Sequence, residues 1–255
     1  MMTTDFNPFS LNGKTILIVG ASSGIGQATA IACSKLGANV IALGRNEDRL
    51  IETMKSMTNT NDSIHRYIIA DILNTEDINK LVSEVPSIDG LMLSAGRGLT
   101  LPMQYATRDK FEEIFNINFF SQVELLRLFY KKKKLIRNSS VVLLSSLGGT
   151  KIFSGSNGIY GASKAALNSI MKFCAKEFAT RKVRVNSICP GMIDTPLIHR
   201  GTITEEQLQD DMKNYPLKRY GRPEDVAYLA IYLLSDAASW ITGQDFIIDG
   251  GLSIK

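Results

Sequence analysis

Two kinds of apolar pattern alternate along this chain. Seven short runs rich in β-branched residues predict buried strands, and the stretches between them carry apolar residues at helical spacing. The predicted strands are Lys14–Gly20, Asn39–Leu43, Ser63–Ala70, Ile88–Leu93, Ser139–Ser146, Val183–Cys189 and Gln244–Ile248. The predicted helices are Gln27–Leu36, Glu47–Met57, Thr75–Val85, Thr107–Arg137, Tyr160–Thr180, a short Glu205–Asn214, and Glu224–Leu234 behind Pro223. This alternation predicts an α/β fold, a doubly wound parallel sheet of about seven strands with helices on both faces.

The composition is that of an ordinary globular protein. Of the 255 residues, 44% are apolar and 21% are charged, which is enough apolar material for a sizeable core. No linker, repeat or low-complexity stretch divides the chain, so we expect a single domain over residues 1–255. The net charge of +4 is mild and gives no reason to expect nucleic acid or a membrane surface as a partner.

The chain's cysteines and histidines are scattered: Cys33, Cys174, Cys189, His65 and His199. Their spacing matches no usual metal site, so we expect no metal. Free thiols fit a reducing compartment. The segment Met1–Lys14 has no apolar core of the kind found in signal peptides, and no apolar run reaches the roughly 18 residues of a membrane span. We therefore expect a cytoplasmic protein.

A glycine-rich turn follows the first predicted strand. Its three glycines are Gly20, Gly24 and Gly26, and the other residues of the turn include Ser22, Ser23 and Ile25. Strand, turn and helix start together form a Rossmann-type phosphate site, because free backbone N–H groups and the positive end of the helix dipole face the pyrophosphate. The spacing is G-x-x-x-G-x-G rather than G-x-G-x-x-G. The alternative is a glycine turn with no ligand.

The tip of the second predicted strand carries Arg45 and Asn46 and no acidic residue. At this position a carboxylate binds the free 2′-hydroxyl of NAD, whereas an arginine accommodates the 2′-phosphate of NADP. We therefore expect NADP(H). The alternative is that Arg45 is a solvated loop charge.

Two further strand ends are suited to the cofactor. Asp71, followed by Ile72, ends the third predicted strand and can bind an adenine amino group; the alternative is an N-cap-like role before the next helix. The small residues Ser94, Ala95 and Gly96 end the fourth strand. They would let the backbone lie close to the cofactor ribose.

Candidate chemistry gathers in the second half of the chain. Tyr160 and Lys164 lie one turn apart on the same helix face, and an ammonium beside a phenol lowers the pKa of the phenol. Such a tyrosine is a general acid or base. Asn118 lies among large apolar residues inside the long predicted helix; it either packs against backbone groups or marks a water-holding kink at the active site. Ser145 and Ser146 end the fifth strand, where ligands bind in open α/β sheets.

These motifs, in this order, resemble the short-chain dehydrogenase/reductase family over about residues 12 to 252. Further matching segments are Pro190-Gly191, Gly221 to Asp225, Ile241 to Gly243 and Asp249 to Gly251. There are departures: Val19 stands where the family usually has Thr, Leu93 and Ser94 stand for a pair of asparagines, and the loop before Tyr160 is one residue longer. The lost side-chain hydrogen bonds would weaken the bracing of the turns beside the cofactor.

The resemblance implies a catalytic set and its roles. Tyr160 would protonate the carbonyl oxygen as hydride arrives, and Lys164 would lower the pKa of Tyr160 and bind the nicotinamide ribose. Ser146, chosen over Ser145 because Ser-x-x-Gly matches the family, would bind the substrate oxygen. Asn118 would hold a relay water. Ile193 and Thr195, after Pro190 and Gly191 of the same cofactor site, would meet the nicotinamide carboxamide. Separately, the polar and poorly periodic composition of Leu197–Pro216 predicts a substrate lid around residues 192–216; the alternative for Leu197–Pro216 is a surface excursion.

Within that family the chain is most similar to 3-oxoacyl-acyl-carrier-protein reductases, which use NADPH. We therefore expect a ketone reductase, with an acidic carrier protein docking at Lys131–Lys134; the alternative for this cluster is stabilisation of a helix C-terminus. Reduction of another ketone, such as a sugar, steroid-like or dicarbonyl substrate, and a non-catalytic cofactor-binding protein are the other hypotheses. The resemblance also implies a homo-oligomer, a dimer or tetramer.

Overall fold

The structure, a computed structural model, describes residues 6–60, 63–198 and 204–254. In these residues strands and helices alternate. The strands are β1 (Thr15–Val19), β2 (Asn39–Gly44), β3 (Arg66–Ile69), β4 (Ile88–Leu93), β5 (Leu135–Leu144), β6 (Arg184–Pro190) and β7 (Asp245–Ile248). The α-helices are α1 (Gly24–Lys35), α2 (Glu47–Ser56), α3 (Thr75–Glu84), α4 (Arg108–Phe115), α5 (Ser121–Lys131), α6 (Gly158–Phe178), α7 (Glu205–Met212) and α8 (Pro223–Leu234).

The strands form one parallel sheet in the order β3-β2-β1-β4-β5-β6-β7. The predicted doubly wound fold is confirmed. The chain builds outward from β1 to β3 and then returns to place β4 on the other side of β1. A crevice therefore opens beyond the carboxyl ends of β1 and β4, which is where sheets of this topology bind ligands.

Helices cover both faces of the sheet, so successive strand residues enter two different apolar layers. In β1, Leu17 packs into the layer shared with α3, α5 and α6, while Ile16 packs into the layer shared with α1 and α8. Leu91 and Met92 of β4 divide in the same way. Burial on both faces explains why these strands are continuous apolar runs rather than alternating ones.

The single long helix predicted over Thr107–Arg137 is confirmed as a continuous helical run from Arg108 to Lys131 and is wrong beyond Lys131. A π-helical segment, Asn116–Phe120, separates α4 from α5. The helix then ends at Lys131, because Lys133 adopts a left-handed backbone with φ 57°, which no α-helix continues.

Strand β5 consequently starts earlier than the predicted Ser139. It begins at Leu135, which pairs with Ile88, and it bulges before Ser140, which pairs with Gly90. Asn138, with φ 68°, lies inside this bulge. The prediction missed the start of this strand because it assigned residues 135–137 to the preceding helix.

In the part of the chain described, no helix is both long and apolar enough to cross a membrane. The same residues contain no group of three or more acidic, histidine or cysteine side chains that could hold a metal ion. Cys33, Cys174 and Cys189 are free thiols.

Candidate active site

A cavity of about 590 Å³ lies at the carboxyl ends of β1 and β4. It brings together most of the predicted cofactor residues: Gly20, Ser22, Ser23, Gly24, Ile25, Gly26, Arg45, Asn46, Asp71, Ile72, Ser94, Ala95, Gly96 and Thr195. A second cavity, of about 370 Å³ between β3 and α3, contains none of the predicted site residues.

The wall of the cavity formed by the β1–α1 turn is built from backbone. Gly20 has φ +88°, and a Cβ there would lie 2.8 Å from the backbone nitrogen of Ala95. A Cβ at Gly26 would clash with the carbonyl oxygen of Gly20. Only glycine fits either position. Ser23 precedes α1 and makes no side-chain cap, so the first N–H groups of the helix remain available to an anion. These features fit a dinucleotide.

The outer end of the cavity is basic. Arg45 is exposed, and its guanidinium lies 3.5 Å from the carboxylate of Asp71. Asn46 caps α2 by accepting a hydrogen bond from the backbone of Arg49. Arg49 lines the same cavity. The N-cap of α3 is Asn74, whose side chain accepts from Glu76 and Asp77. Asp71 instead accepts from the backbone N–H of Leu73 at 3.0 Å, so it caps the turn before α3 and not the helix itself.

The inner end of the cavity adjoins the predicted catalytic group. Lys164, which is 3% exposed, donates from Nζ to the carbonyl of Leu144 at 2.8 Å, and Leu144 lines the cavity. The same Nζ lies 6.0 Å from the ring centroid of Tyr160. Burial lowers the pKa of Lys164 from 10.5 to about 8.

The two candidate serines differ in orientation. Ser145 is buried, and its hydroxyl donates to the carbonyl of Lys164 at 3.0 Å. Ser146 is only half-buried; its hydroxyl accepts from the backbone of Gly148 at 3.0 Å and forms a hydrogen bond that lowers the pKa of Tyr160. Ser146 is thus the serine on the same side as the tyrosine.

Burial raises the pKa of Tyr160 above 10.0, and this effect exceeds the lowering by Ser146. The expected lowering of this pKa by Lys164 is therefore wrong for this structure, because desolvation penalises the phenolate more than its neighbours stabilise it. The consequence is that Tyr160 carries its proton at neutral pH, which is the form a proton donor needs.

Asn118 lies in the π-helical segment and is fully buried. Its Oδ1 accepts from the backbone N–H of Arg97 at 2.8 Å, and its Nδ2 donates to the carbonyl of Arg97 and to Ser163 Oγ, both at 3.0 Å. Ser163 in turn donates to the carbonyl of Tyr160 at 2.7 Å. Asn118 thus ties the loop after β4 to the helix that carries Tyr160, and π segments are frequent at such functional kinks.

Comparisons with known proteins agree with this architecture. A family described as Enoyl-(Acyl carrier protein) reductase matches residues 20–253. The 3-oxoacyl-[acyl-carrier-protein] reductase FabG of Rickettsia felis is 37% identical over 245 residues, covering 95% of this chain and 98% of the relative. The glucose 1-dehydrogenase of Gluconobacter oxydans is 32% identical over 253 residues, covering 95% and 92%. A short-chain type dehydrogenase/reductase structure from Mycobacterium ulcerans superposes with TM-score 0.87 at 31% identity, covering 96% and 92%.

The chain belongs to the short-chain dehydrogenase/reductase family. A further solved neighbour, described as an NAD(P) dependent gluconate 5-dehydrogenase from Beutenbergia cavernae with NADP bound at low occupancy, superposes with TM-score 0.87 at 27% identity, covering 98% of this chain and 100% of that chain. The family confirms an oxidoreductase whose relatives bind nicotinamide cofactors.

The structure shows how this short-chain dehydrogenase/reductase replaces the bracing lost with its sequence departures. The hydroxyl of Ser94 donates to the carbonyl of Val19 at 2.6 Å. The amide of Gln122, fully buried one turn after Asn118, donates to the carbonyl of Ala95 at 2.6 Å. Sequence reasoning missed Gln122, because its burial and its partner Ala95 are visible only in the fold. It also missed Arg49, which follows Arg45 at helical spacing.

Several predicted residues lie outside the cavity: Tyr160, Lys164, Pro190, Gly191 and Ile193. Pro190 ends β6, and Gly191 follows it. The side chain of Ile193 packs into the apolar layer with α1 and α8, so only its backbone could meet a carboxamide. Thr195, by contrast, does line the cavity, beside Gly24.

The predicted lid covers residues 192–216. Residues 199–203 of this segment, His199 among them, lie outside the described residues. Its remaining part contains α7, which starts with a capping box between Thr204 and Gln207. Leu208 of α7 is buried with Tyr215 and Tyr220 in a small separate apolar cluster. The hydroxyl of Tyr215 accepts from the backbone of Met192 at 3.2 Å, which ties this helix to the segment after β6.

The cluster Lys131–Lys134 lies at the start of β5, whereas Ser146 follows the end of that strand. The two therefore lie at opposite ends of the strands. Leu135 of β5 pairs with Ile88 and Leu143 pairs with Leu93, so the five residue steps of β4, at ~3.3 Å each, already separate them by roughly 17 Å. Lys134 donates to the carbonyl of Val85 at 2.6 Å and so stabilises the C-terminus of α3. Lys131, Lys132 and Lys133 are exposed.

Proposed function

We propose that this protein uses NADPH to reduce a ketone to a secondary alcohol, with Tyr160 as the proton donor. The observation that carries the proposal is the half-buried Tyr160, whose raised pKa keeps it protonated, beside Ser146 and Lys164 next to the inner end of a crevice that fits a dinucleotide. The non-catalytic alternative explains the crevice but not this set of groups.

The roles of the side chains follow from their positions. The nicotinamide cofactor, when bound, supplies the hydride. Ser146 and Tyr160 hold the substrate oxygen by hydrogen bonds, and Tyr160 transfers its phenolic proton as negative charge develops there. The ammonium of Lys164 stabilises the resulting phenolate. The family resemblance, rather than the position of the Asn118 side chain, which is bonded to Arg97 and Ser163, adds a water near Asn118 that returns a proton to Tyr160 from solvent through Lys164.

Preference for NADPH rests on the basic outer end of the crevice. Arg45 and Arg49 offer guanidinium groups to a 2′-phosphate, which Arg binds through paired hydrogen bonds. The strand tip has Gly44 in place of an acidic residue. The ion pair between Arg45 and Asp71 is long, at 3.5 Å, and exposed to solvent. It is therefore weak, and replacing Asp71 by a phosphate as the partner of Arg45 costs little free energy.

The substrate we propose is a 3-oxoacyl group carried on acyl carrier protein, because relatives of that activity match nearly the full chain. The glucose 1-dehydrogenase relative favours a sugar as the second candidate. Oxidation of NADPH is measured with a 3-oxoacyl carrier protein, and in parallel with sugar, steroid-like and dicarbonyl ketones. A higher kcat/KM for the carrier substrate supports the first candidate; a higher value for a sugar supports the second. Binding of NADPH without turnover of any ketone would contradict both.

The proposed carrier docking at Lys131–Lys134 has a geometric consequence. Since the sheet separates this cluster from Tyr160 within one chain, a carrier bound there delivers its acyl group to another copy of the chain. Mixing a Tyr160→Phe subunit with a subunit in which Lys131, Lys132 and Lys133 are changed to Glu tests this. Recovery of carrier-dependent activity in the mixture is expected; no recovery in mixed oligomers would contradict delivery between copies.

We propose a cytoplasmic homo-oligomer, a dimer or tetramer. Support comes from aromatic rings that form a contiguous group beside α5: Phe115, Phe119 and Phe120 contact one another, and Phe120 is 55% exposed. Exposed apolar surface of this kind marks interaction sites. A monomer in sedimentation at micromolar concentration would contradict this.

A further inference from the structure

The side of α6 that carries Tyr160 is polar over four successive turns. Tyr160, Lys164, Asn168 and Lys172 are spaced by four residues, so they lie along one side of the helix. Only the first two take part in the proposed reaction. The other two continue away from the cavity, beside an apolar stripe of the same helix that packs into the core.

Successive turns of α6 are tied to successive strands. The carbonyl of Lys164 accepts from Ser145, which directly follows β5, at 3.0 Å. One turn later, Asn168 Nδ2 donates to the sulfur of Cys189 in β6 at 3.3 Å. Both sheet residues are buried, with 3% and 1% exposure. Helix packing on a sheet by apolar side chains alone allows small rotations, whereas directed hydrogen bonds select one arrangement.

The next turn is tied to β7. Lys172 pairs with Asp245 at 2.8 Å, and the hydroxyl of Ser187 in β6 donates to the other oxygen of the same carboxylate at 2.5 Å. An ionised carboxylate only accepts hydrogen bonds, so Ser187 must donate to it. Ser187 is therefore left to accept from the thiol of Cys189, 3.8 Å away. The result is one series of hydrogen bonds that all point the same way, from Asn168 through Cys189 and Ser187 to Asp245.

Asn168 is an unfavourable choice for stability alone. It is 4% exposed, and its Oδ1 has no hydrogen-bond partner among the described residues. A buried acceptor left unpaired is destabilising, and an apolar side chain of similar size would avoid this. Residues that break such a rule concentrate at functional sites.

We propose that Asn168 and Cys189 are positioning residues that hold α6 at one rotation and height above the sheet, so that the Tyr160 phenol and the Lys164 ammonium meet the substrate carbonyl. The proposal rests on the proposed reductase function. It assigns no chemical step to the thiol, which is buried and acts only through its hydrogen bonds.

The central test is Asn168→Leu, with Ser169→Ala on the exposed side of α6 as the matched control. Small displacements of reacting groups are costly, so kcat for ketone reduction is expected to fall about 10- to 100-fold. The KM for the ketone should change less than threefold, and the thermal midpoint should stay equal or rise. The control should leave all three unchanged. Wild-type kcat in Asn168→Leu would overturn the proposal.

Cys189 supplies a second test. Cys189→Ser keeps a group that accepts from Asn168 and donates to Ser187, whereas Cys189→Val removes it at similar volume. The serine variant should keep most of kcat, and the valine variant should match Asn168→Leu. The double variant Asn168→Leu/Cys189→Val should be no slower than either single variant, because both break the same series of hydrogen bonds. Equal kcat in the serine and valine variants would contradict the hydrogen-bonded role.

A readout without turnover separates this proposal from the proposed function. The side-chain amine of Lys164, titrated by heteronuclear NMR, is faced by two other titratable groups, Tyr160 on α6 and Cys189 on β6. Asn168→Leu should shift the midpoint of this titration, because Lys164 moves relative to its burial site. A wild-type protein that reduces no ketone would refute the proposed function alone; an unshifted midpoint in the variant would refute the positioning role.

Discussion

The two walls of the crevice are built in different ways. The β1–α1 wall is made of backbone, and Gly20 and Gly26 are there because any side chain would strike a neighbouring main-chain atom. The α6 wall is made of side chains, and the helix that carries Tyr160 and Lys164 is held by partners in or directly after two strands, β5 and β6. A backbone wall restricts residue type locally, whereas a side-chain wall acquires its properties only when distant segments pack against it.

Adding one methyl group should damage the backbone wall. In Gly26→Ala the new Cβ meets the carbonyl of Gly20, so the turn must shift, at about 1–3 kcal/mol of stability. If the shift removes ~3 kcal/mol of cofactor contacts, the Kd for NADPH rises about 100-fold. Fluorescence titration with NADPH measures this.

The matched control is Gly13→Ala. Gly13 also has a positive φ, +75°, but no atom lies within 4 Å of its Cβ position. The Gly13→Ala variant should lose a little stability through backbone strain and should bind NADPH with the wild-type Kd. Equal NADPH affinity in both variants would show that the glycine wall does not hold the cofactor.

Cofactor preference should respond to charge at the outer end of the same wall. Changing Gly44→Asp with Arg45→Ile removes a guanidinium and adds a carboxylate that can bind a 2′-hydroxyl. A lost charge-assisted bond of about 1.5–3 kcal/mol predicts a roughly 10- to 100-fold fall in the preference for NADPH over NADH. Steady-state kinetics with both cofactors measures the ratio. The control is Arg66→Ile, which removes a basic side chain on β3 outside the crevice. An unchanged cofactor ratio in the Gly44→Asp/Arg45→Ile variant would contradict the NADP assignment.

The activity that depends on the side-chain wall should vary with pH. Lys164 has a pKa of about 8, and its ammonium is the form that stabilises the Tyr160 phenolate. The kcat/KM for ketone reduction should therefore fall above about pH 8, approaching tenfold per pH unit. A profile flat to pH 10 would exclude Lys164 as the group required.

The same pKa predicts a stability effect. Burial lowers the pKa of Lys164 in the folded state from 10.5 to about 8, so between these values the unfolded chain binds more protons. Stability contributed by this group therefore rises with pH across that window. The difference in unfolding free energy between wild type and Lys164→Met, followed from pH 7 to 10, should show this rise.

The smallest effect is expected at Gln122, which holds Ala95 behind the backbone wall at Gly20. Gln122→Leu removes one hydrogen bond to Ala95 and also a buried oxygen without a partner among the described residues. A net hydrogen bond of 0.5–1.5 kcal/mol predicts about a 3- to 10-fold higher Kd for NADPH with an unchanged or higher thermal midpoint. The exposed variant Glu124→Gln is the control. A lower midpoint with normal affinity would assign Gln122 to packing instead.

The contrast between the walls also explains what could be predicted from the sequence. The glycine turn, the strand ends and the Tyr160–Lys164 spacing are local patterns, and the fold they predicted is confirmed. The end of the helix before Lys133 could not be predicted, because nothing in a run of lysines indicates a left-handed backbone. Gln122 and Asn168 lay inside amphipathic helices, where a single amide carries no signal until its partner is known.

Electrostatics of the site were the least predictable part. The sequence places a lysine beside Tyr160, which predicts a lowered phenol pKa; the fold buries the phenol and raises it. Burial depends on how α6 packs on the sheet and on the loop after β5, and neither follows from the spacing of the two residues.

The most direct measurement for the account as a whole is Tyr160→Phe, assayed for ketone-dependent NADPH oxidation and, separately, for NADPH binding. The change removes only the phenolic hydroxyl. Loss of the proton donor should lower kcat about 10²- to 10⁴-fold, while the Kd for NADPH stays within about threefold because the glycine wall is untouched. Turnover at the wild-type rate in Tyr160→Phe would contradict the account.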